Sequence, residues 1–357
     1  MKDSPRVVIA MSGGVDSSVA AALLVQEGYQ VIGMMLRLWS EVGQSENNRC
    51  CTPDAMAQAR RVAAILGIPF YAIDAQQIFY DTVVHEFIDG YTGGLTPNPC
   101  LVCNRQVRWS FLLSRAQAIG AQFMATGHYA RVDRGPESRI HLLRATDPQK
   151  DQSYVLHTLN QDQLSHAIFP LGAYSKSEVR RMALEMGLPV ADRPDSQDLC
   201  FLGGSNYAEF LLRQAPQVRN PGPIMTRQGK LLGQHQGLAF YTIGQRKGIG
   251  VSSTQPFYVL AKDNDRNVLI VGSREELGSQ ELTAASVNWV SGNAPGGSLR
   301  ALVKIRYKAQ AVWATVDPLE NGHAHVFFDQ PVRDITPGQA AVFYQDDICL
   351  GGGIIQP

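Results

Sequence analysis

The sequence has 357 residues, 45% of them hydrophobic and 18% charged, and single cores rarely grow past ~250 residues, so two or three folded units are expected. Its 32 basic residues balance its 32 acidic ones, which excludes a protein that attracts polyanions through global charge alone; any such surface has to be grouped locally. No apolar run is long enough to span a membrane, and six cysteines in this length do not make the dense disulfide framework of a small secreted domain.

Met1 to Pro5 leads into the apolar run Val7–Met11 with no signal-peptide pattern, so the expectation is a cytoplasmic protein with reduced thiols and no membrane association. From there to about Thr126, β-type runs alternate with helix-period segments. Strands are expected at Val7–Met11, Val31–Leu36, Phe70–Asp74 and Phe123–Thr126, and helices at Ser17–Glu27, Asp54–Leu66 and Arg105–Ile119. This alternation predicts an α/β unit with a parallel sheet and helices on both faces. A further helix over Ser175–Met186 opens with the capping-box pattern Ser-Lys-Ser-Glu.

Past Gly203-Gly204 the pattern changes. Asn220-Pro221-Gly222-Pro223 is a strong breaker, and beyond it short strands and glycine turns replace the helix period. We expect a first domain over 1–204, a small middle module over 205–278 and a C-terminal β-barrel over 279–357. The barrel's six strands are expected near Leu282–Val290, Ala301–Lys308, Val312–Val316, His323–Phe328, Ala340–Tyr344 and Cys349–Ile355. Two local basic groups stand out, Gln245-Arg246-Lys247-Gly248 and the run Arg300–Lys308. In the second, a period of two would set Lys304, Arg306 and Lys308 on one face and Ala301, Val303, Ile305 and Tyr307 on the other. A merely solvated strand face is the alternative.

The first strand runs into Met11-Ser12-Gly13-Gly14-Val15-Asp16-Ser17-Ser18. Glycines let the backbone turn its amides inward, and a helix N-terminus adds partial positive charge, so the pattern suits a phosphate or pyrophosphate. It lacks the Gly-Lys-Ser/Thr ending of a Walker loop. Asp16, being anionic, is expected to reach phosphates through Mg²⁺ rather than directly. The run resembles the signature of the adenine-nucleotide α-hydrolase superfamily, whose PP-loop ATP pyrophosphatases have a Rossmann-like sheet. That resemblance alone admits amide-forming synthetases as well as tRNA-modifying enzymes.

Thr96-Pro97-Asn98-Pro99-Cys100-Leu101-Val102-Cys103-Asn104-Arg105 reads as a proline-stiffened loop entering a helix at Arg105. A thiol there, near Arg105 and Arg108, is expected to have a lowered pKa. A second cysteine, Cys200, follows the polar stretch Asp195-Ser196-Gln197-Asp198-Leu199. Two such loop thiols on one parallel-sheet domain could face each other. A metal reading, zinc or an iron-sulfur cluster on Cys50, Cys51, Cys100 and Cys103, is the alternative, and vicinal cysteines chelate one tetrahedral ion awkwardly. Cys349 reads as a small buried hydrophobe.

These cysteine loops, together with Thr126-Gly127-His128-Tyr129-Ala130-Arg131, Lys150-Asp151-Gln152-Ser153-Tyr154, Thr242-Ile243-Gly244-Gln245-Arg246-Lys247-Gly248 and Lys304-Ile305-Arg306-Tyr307, resemble the bacterial tRNA-specific 2-thiouridylase family over essentially the whole chain. The resemblance implies ATP-dependent 2-thiolation of a wobble uridine. ATP with Mg²⁺ would be a substrate and no permanent cofactor would be needed. It implies nucleotide contacts at Ala10, Met11, Ser12, Gly13, Gly14, Val15, Asp16 and Ser17, with Leu36 and Gly127 near the adenosine. Cys103 corresponds to the nucleophile and Cys200 to the persulfide carrier. A Cys103–Cys200 disulfide would then be reopened by an external reductant, and a cysteine desulfurase or relay protein would supply sulfur.

By the same resemblance, Asn98, Pro99 and Cys100 contact the target base, while Lys150, Asp151, Gln152, Arg306 and Tyr307 contact tRNA and His128 and Gln339 assist. Cys100 departs from the family, which often has aspartate there. A histidine after Thr-Gly at a strand end is also a common structural residue, and Tyr307 could equally be core. Two other readings stay open: an ATP-dependent amide ligase, which needs no paired cysteines, and a non-catalytic nucleotide- and RNA-binding module.

Overall fold

The computed structural model describes residues 4–41, 52–134, 139–194, 199–253 and 255–357. Cys50, Cys51 and the Asp195–Asp198 stretch lie outside the described residues.

A five-stranded parallel sheet forms the first unit. Its strands are β1 (Arg6–Ala10), β2 (Gln30–Arg37), β3 (Phe70–Asp74), β4 (Phe123–Thr126) and β7 (Ala167–Ile168), in the order β3-β2-β1-β4-β7. Val7 and Ile9 enter one hydrophobic cluster while Val8 enters another, as the period-two side-chain alternation of a strand buried on both faces requires. On the first face lie α1 (Val15–Gln26) and α2 (Pro53–Leu66). Thr52 caps α2 and Gly67 ends it in the left-handed conformation.

The second face carries a long helical run. After α3 (Gln76–Phe79), a π-helical Tyr80–Val84 and α4 (His85–Thr92), the chain enters α5 (Pro99–Val102), continues as a π-helical segment Cys103–Leu112 and finishes as α6 (Leu113–Ala118). The expected helix start at Arg105 is therefore corrected to Pro99. Asn98 is the N-cap, its side chain accepting from the Cys100 amide at 3.1 Å, and Pro99 takes the first helical position, where its missing N–H costs nothing. Two short helices follow, α7 (Ser153–Leu156) and α8 (Gln161–Ser165), and then α9 (Lys176–Glu185), whose Ser175–Glu178 capping box is formed as expected.

After α10 (Tyr207–Gln214) the middle module is a four-stranded sheet of β8 (Gly222–Thr226), β9 (Leu231–His235), β10 (Tyr258–Asp263) and β11 (Val268–Gly272), in the order β10-β11-β8-β9. The last six strands are β12 (Gly278–Trp289), β13 (Leu299–Lys304), β14 (Val312–Leu319), β15 (His323–Arg333), β16 (Ala340–Gln345) and β17 (Ile348–Ile355). They pair in the order β12-β15-β14-β13-β16-β17, and β12 also pairs with β17, so the barrel closes and leaves no internal edge.

A hairpin from the first unit, β5 (Arg131–Arg134) and β6 (Ile140–Leu143), extends the barrel sheet: Leu142 pairs with Cys349 and Leu143 with Ile348. Barrel residues Ala340, Val342, Tyr344 and Cys349 share one buried cluster with Trp109, Leu112 and Met124 of the parallel-sheet unit. Burial raises the Cys349 thiol pKa well above its ordinary value, as its reading as a small core hydrophobe anticipates.

Candidate active site

The sheet order places β1 beside β4, with β2 on the far side of β1, so the carboxyl ends of β1 and β4 flank the point where strand order reverses, the usual crevice for a ligand in an open α/β sheet. From β1, whose last residue is Ala10, the chain passes Met11, tied by its amide to the Met34 carbonyl at 2.7 Å, and turns through Ser12, Gly13 and Gly14 into α1. Gly13 has φ +72°, and a Cβ there would lie 2.2 Å from the Ala55 carbonyl oxygen, so a side chain is excluded by backbone on two counts. Ser17 Oγ accepts from the Ser12 amide at 3.1 Å and lies 3.2 Å from Ser12 Oγ, which folds the loop back over the helix start.

Gly14 is the N-cap of α1 and gives no side-chain cap. The amides of Val15, Asp16 and Ser17 have no preceding helical turn to bond. From the other side comes β4: a Cβ on Gly127 would stand 2.7 Å from the Ser17 amide nitrogen, so the two loops touch through backbone. Together they make a donor-lined concavity suited to phosphate oxygens.

Asp16 is engaged by two side chains from distant segments. Its carboxylate accepts from Lys176 Nζ at 2.7 and 2.9 Å and from Tyr129 Oη at 2.7 Å. A carboxylate with a cation and a phenol already on it has few lone pairs left for a further partner. Among the described residues no group of three or more His, Cys, Asp or Glu side chains is disposed to hold a metal. Sequence reasoning missed Lys176 and Tyr129, which are 160 and 113 residues from Asp16; no local signal could have joined them.

The other expected contacts are wired to this pair. Gln152 Oε1 accepts from the Tyr129 amide at 2.9 Å, and the Gln152 amide donates to the Tyr129 carbonyl at 2.8 Å. Asp147 Oδ2 accepts from the Lys176 amide at 3.1 Å, and the turn it starts closes at the amide of half-buried Lys150. Asp151 is buried and accepts from the Ala145 and Ser153 amides, both at 3.1 Å, and from Ser153 Oγ at 2.9 Å. Its side chain therefore shapes the turn. His128 is also buried, its Nδ1 2.7 Å from Thr126 Oγ1. Burial, with nearby Arg108 adding to it, pushes its pKa down to about 3, so the ring is neutral at physiological pH.

Cys103 and Cys200 share one hydrophobic cluster. Cys103 is 9% exposed on the π-helical segment, and half-buried Cys200 opens the turn Cys200–Leu202. Phe201, next to Cys200, is wedged against Phe79, Phe87 and Phe210 at ring distances of 6.0, 5.1 and 5.4 Å. Leu36, at the carboxyl end of β2, packs against this cluster and against the one beneath the sheet. The cluster that holds both thiols thus borders the carboxyl end of β2, the neighbour of β1 in the sheet. Cys100 is exposed, one turn before Cys103, and its carbonyl accepts from Asn104 Nδ2 at 3.0 Å.

The segment preceding Asn98 is gripped by both β modules. Gln339 Nε2 donates to the Thr96 carbonyl at 2.8 Å, the Thr96 amide donates to the Pro337 carbonyl at 2.9 Å, and Asn264 Nδ2 donates to the Gly93 carbonyl at 3.2 Å. Tyr307 stands with its ring 6.1 Å from Tyr154, and burial, then Asp151 and Cys100, raises its pKa to about 12. Arg306 donates to the Ile243 carbonyl at 3.0 Å and to Thr336 Oγ1. The strand expected over Ala301–Lys308 is corrected to Leu299–Lys304: β13 ends there, and Arg306 and Tyr307 occupy a turn closed by the Ala309 amide on the Arg306 carbonyl. The single cationic strand face of Lys304, Arg306 and Lys308 therefore does not form. Thr96 Oγ1, Asn104 Oδ1 and Arg306 Nε, all buried, have no hydrogen-bond partner among the described residues, the kind of orphan that a bound ligand explains.

A strand-loop-helix phosphate cradle at the switch point of a parallel sheet defines the PP-loop class of nucleotide-using proteins. Residues 5–204 match the family described as tRNA methyl transferase HUP domain, residues 208–273 its PRC-barrel domain, and residues 279–355 the aminomethyltransferase beta-barrel domain. The chain is 47% identical to the tRNA-specific 2-thiouridylase MnmA of Natranaerobius thermophilus, covering 99% of this chain and 98% of that one. It is also 47% identical to the one from Chloroflexus aurantiacus (98% of each chain) and 46% identical to the one from Magnetococcus marinus (99% and 100%). The chain belongs to the tRNA-specific 2-thiouridylase family, enzymes of the tRNA-uridine 2-sulfurtransferase type. Among the described residues, no helix is long and apolar enough to cross a membrane.

Proposed function

We propose that this enzyme replaces O2 of the wobble uridine of tRNA by sulfur, using ATP with Mg²⁺ as the activating substrate. The uridine O2 attacks the α-phosphorus of ATP held over the Ser12–Ser17 loop, and pyrophosphate leaves with the cleaved P–O electrons. A persulfide on Cys200 then adds its terminal sulfur to C2. Cys103 thiolate attacks Cys200 Sγ, the S–S electron pair stays on the transferred sulfur, and AMP departs with the C–O pair. The Cys103–Cys200 disulfide that remains is reduced by an external dithiol. A cysteine desulfurase or a relay protein reloads Cys200.

The observation that supports this reading is that Cys103 and Cys200, remote in sequence, belong to one cluster, against which Leu36 at the end of β2 also packs. Adenylation makes a poor leaving oxygen into a good one, and a persulfide is nucleophilic at neutral pH. Asn98, Pro99 and Cys100 would hold the base, with the Thr96–Gln339 contact fixing their position. Lys150, Arg306 and Tyr307 would meet the RNA directly, Asp151 and Gln152 would act by shaping the loop that carries Lys150, and neutral His128 would serve as a hydrogen-bonding wall of the pocket.

The deciding experiment is thiolation of a uridine-34 tRNA transcript by protein preloaded with persulfide sulfur, read by mass spectrometry of nucleosides. Cys103→Ser and Cys200→Ser should each abolish 2-thiouridine while leaving ATP binding intact. An amide-forming activity that survives both substitutions, or ATP binding without pyrophosphate release under any tRNA, would overturn the proposal.

A further inference from the structure

The basic motif Gln245–Gly248 has no part in the site described above, yet it borders a cleft of about 340 Å³ where the middle module meets the barrel. Arg246, Arg274 and Arg333 line it, together with Gly244, Tyr258, Leu277 and Asp334. The first two arginines come from the middle module, and the third from the end of β15. None of the three forms an ion pair with a described residue, and all are exposed. Three guanidinium groups thus line the cleft with one carboxylate, that of Asp334, and Glu275 beside Arg274 adds a second negative charge nearby.

The walls are built. Gly244 has φ +85°, and a Cβ there would lie 2.0 Å from Asp334 Oδ1; Asp334 itself has φ +63°. The Gly244 amide donates to the Val259 carbonyl at 2.9 Å. The cleft is also linked through hydrogen bonds to the loop before Asn98. Thr336 Oγ1, which Arg306 contacts, donates to the Asp334 carbonyl at 2.8 Å, and Arg306 reaches the Ile243 carbonyl beside Gly244. Three residues past Thr336, Gln339 holds Thr96.

We propose that this cleft is a phosphodiester-binding site that seats the tRNA backbone while the target base lies at Asn98–Cys103. The inference rests on the tRNA reading above. Arginine's planar donors match phosphate oxygens in pairs, Tyr258 offers a hydroxyl or a ring face, and the cleft joins the two β modules into one docking surface. The balanced overall charge of the chain makes a local site of this kind the means of gripping a polyanion.

The test measures tRNA affinity against KCl concentration for the full-length protein and for Arg246→Ala, Arg274→Ala, Arg333→Ala and the triple variant. Each lost phosphate contact should reduce the slope of log affinity against log salt by ~0.9, with several-fold weaker binding at low salt. ATP binding and melting temperature should stay as in the wild type, and Arg→Lys variants should keep most of the slope. A triple variant with wild-type melting, slope and affinity overturns the site. So does a cleft that binds inorganic pyrophosphate in the wild type, loses it in the triple variant and leaves tRNA binding unchanged. If the wild-type protein thiolates no tRNA at all, the failure belongs to the underlying reading and shows itself before any variant is made.

Discussion

Gln339, in the barrel, donates its side-chain amide to the carbonyl of Thr96, two residues before Asn98. The C-terminal module therefore sets the position of the loop expected to hold the target base. Gln339→Ala should remove one partly buried hydrogen bond, worth about 0.5–1.5 kcal/mol, and should lower kcat/KM for tRNA roughly two- to tenfold with ATP binding unchanged. Steady-state thiolation at varied tRNA checks this, and unchanged kinetics would remove the barrel from the base pocket.

Gly13→Ala meets both a left-handed φ and the Ala55 carbonyl. Strain of this kind costs about 1–3 kcal/mol, and here it is relieved only by moving the loop. Isothermal titration with ATP should show at least tenfold weaker binding. Full retention of affinity would mean that the nucleotide sits elsewhere.

The Asp16–Lys176 pair, with side chains 34% and 12% exposed, joins the phosphate loop to the start of α9. Asp16→Asn and Lys176→Met should each lower stability by about 1–3 kcal/mol by stranding the partner, and a double-mutant cycle in urea should give a coupling of about 1 kcal/mol or more. A coupling near zero would mean the pair does not form in solution.

His128 and His157 are buried with pKa values lowered to about 3 and about 4, chiefly by burial. Unfolded histidine titrates near ~6.5, so between that value and the folded pKa the unfolded state binds protons that the native state does not. Their contribution is complete above pH ~6.5 and is lost as pH falls, by up to about 1.4 kcal/mol per pH unit for each ring. Urea melts between pH 7 and 4.5 should show this slope, and His128→Asn should remove one ring's share. A variant with the wild-type pH dependence would refute the buried neutral assignment.

What the chain announces locally and what it does not divide along physical lines. The parallel sheet, the phosphate loop, the Ser175 capping box and the β-barrel are announced by period and by short-range capping or turn chemistry. The start of α5 is equally local: asparagine then proline is an N-cap followed by the first helical position, although the same prolines also fit a stiffened loop. The end of β13 is not legible, because alternation continues in Ile305 and Tyr307 after the ladder stops, and only the fixing of Arg306 by Ile243 and Thr336 turns the chain away. The partners of Asp16, the Gln339–Thr96 bond and the common cluster of Cys103 and Cys200 all join distant segments, which a linear pattern cannot encode.

The hairpin of β5 and β6 leaves the nucleotide-binding unit and lies in register on β17. Main-chain hydrogen bonds therefore run across the boundary between the unit that would activate the base and the module that would orient the RNA. Such a seam resists hinge motion more than a flexible linker does. An attempt to express the barrel alone would bare the β17 main chain at Ile348 and Cys349, where β12 does not cover it, so the engineered fragment should self-associate at that end of the strand unless residues 131–143 travel with it.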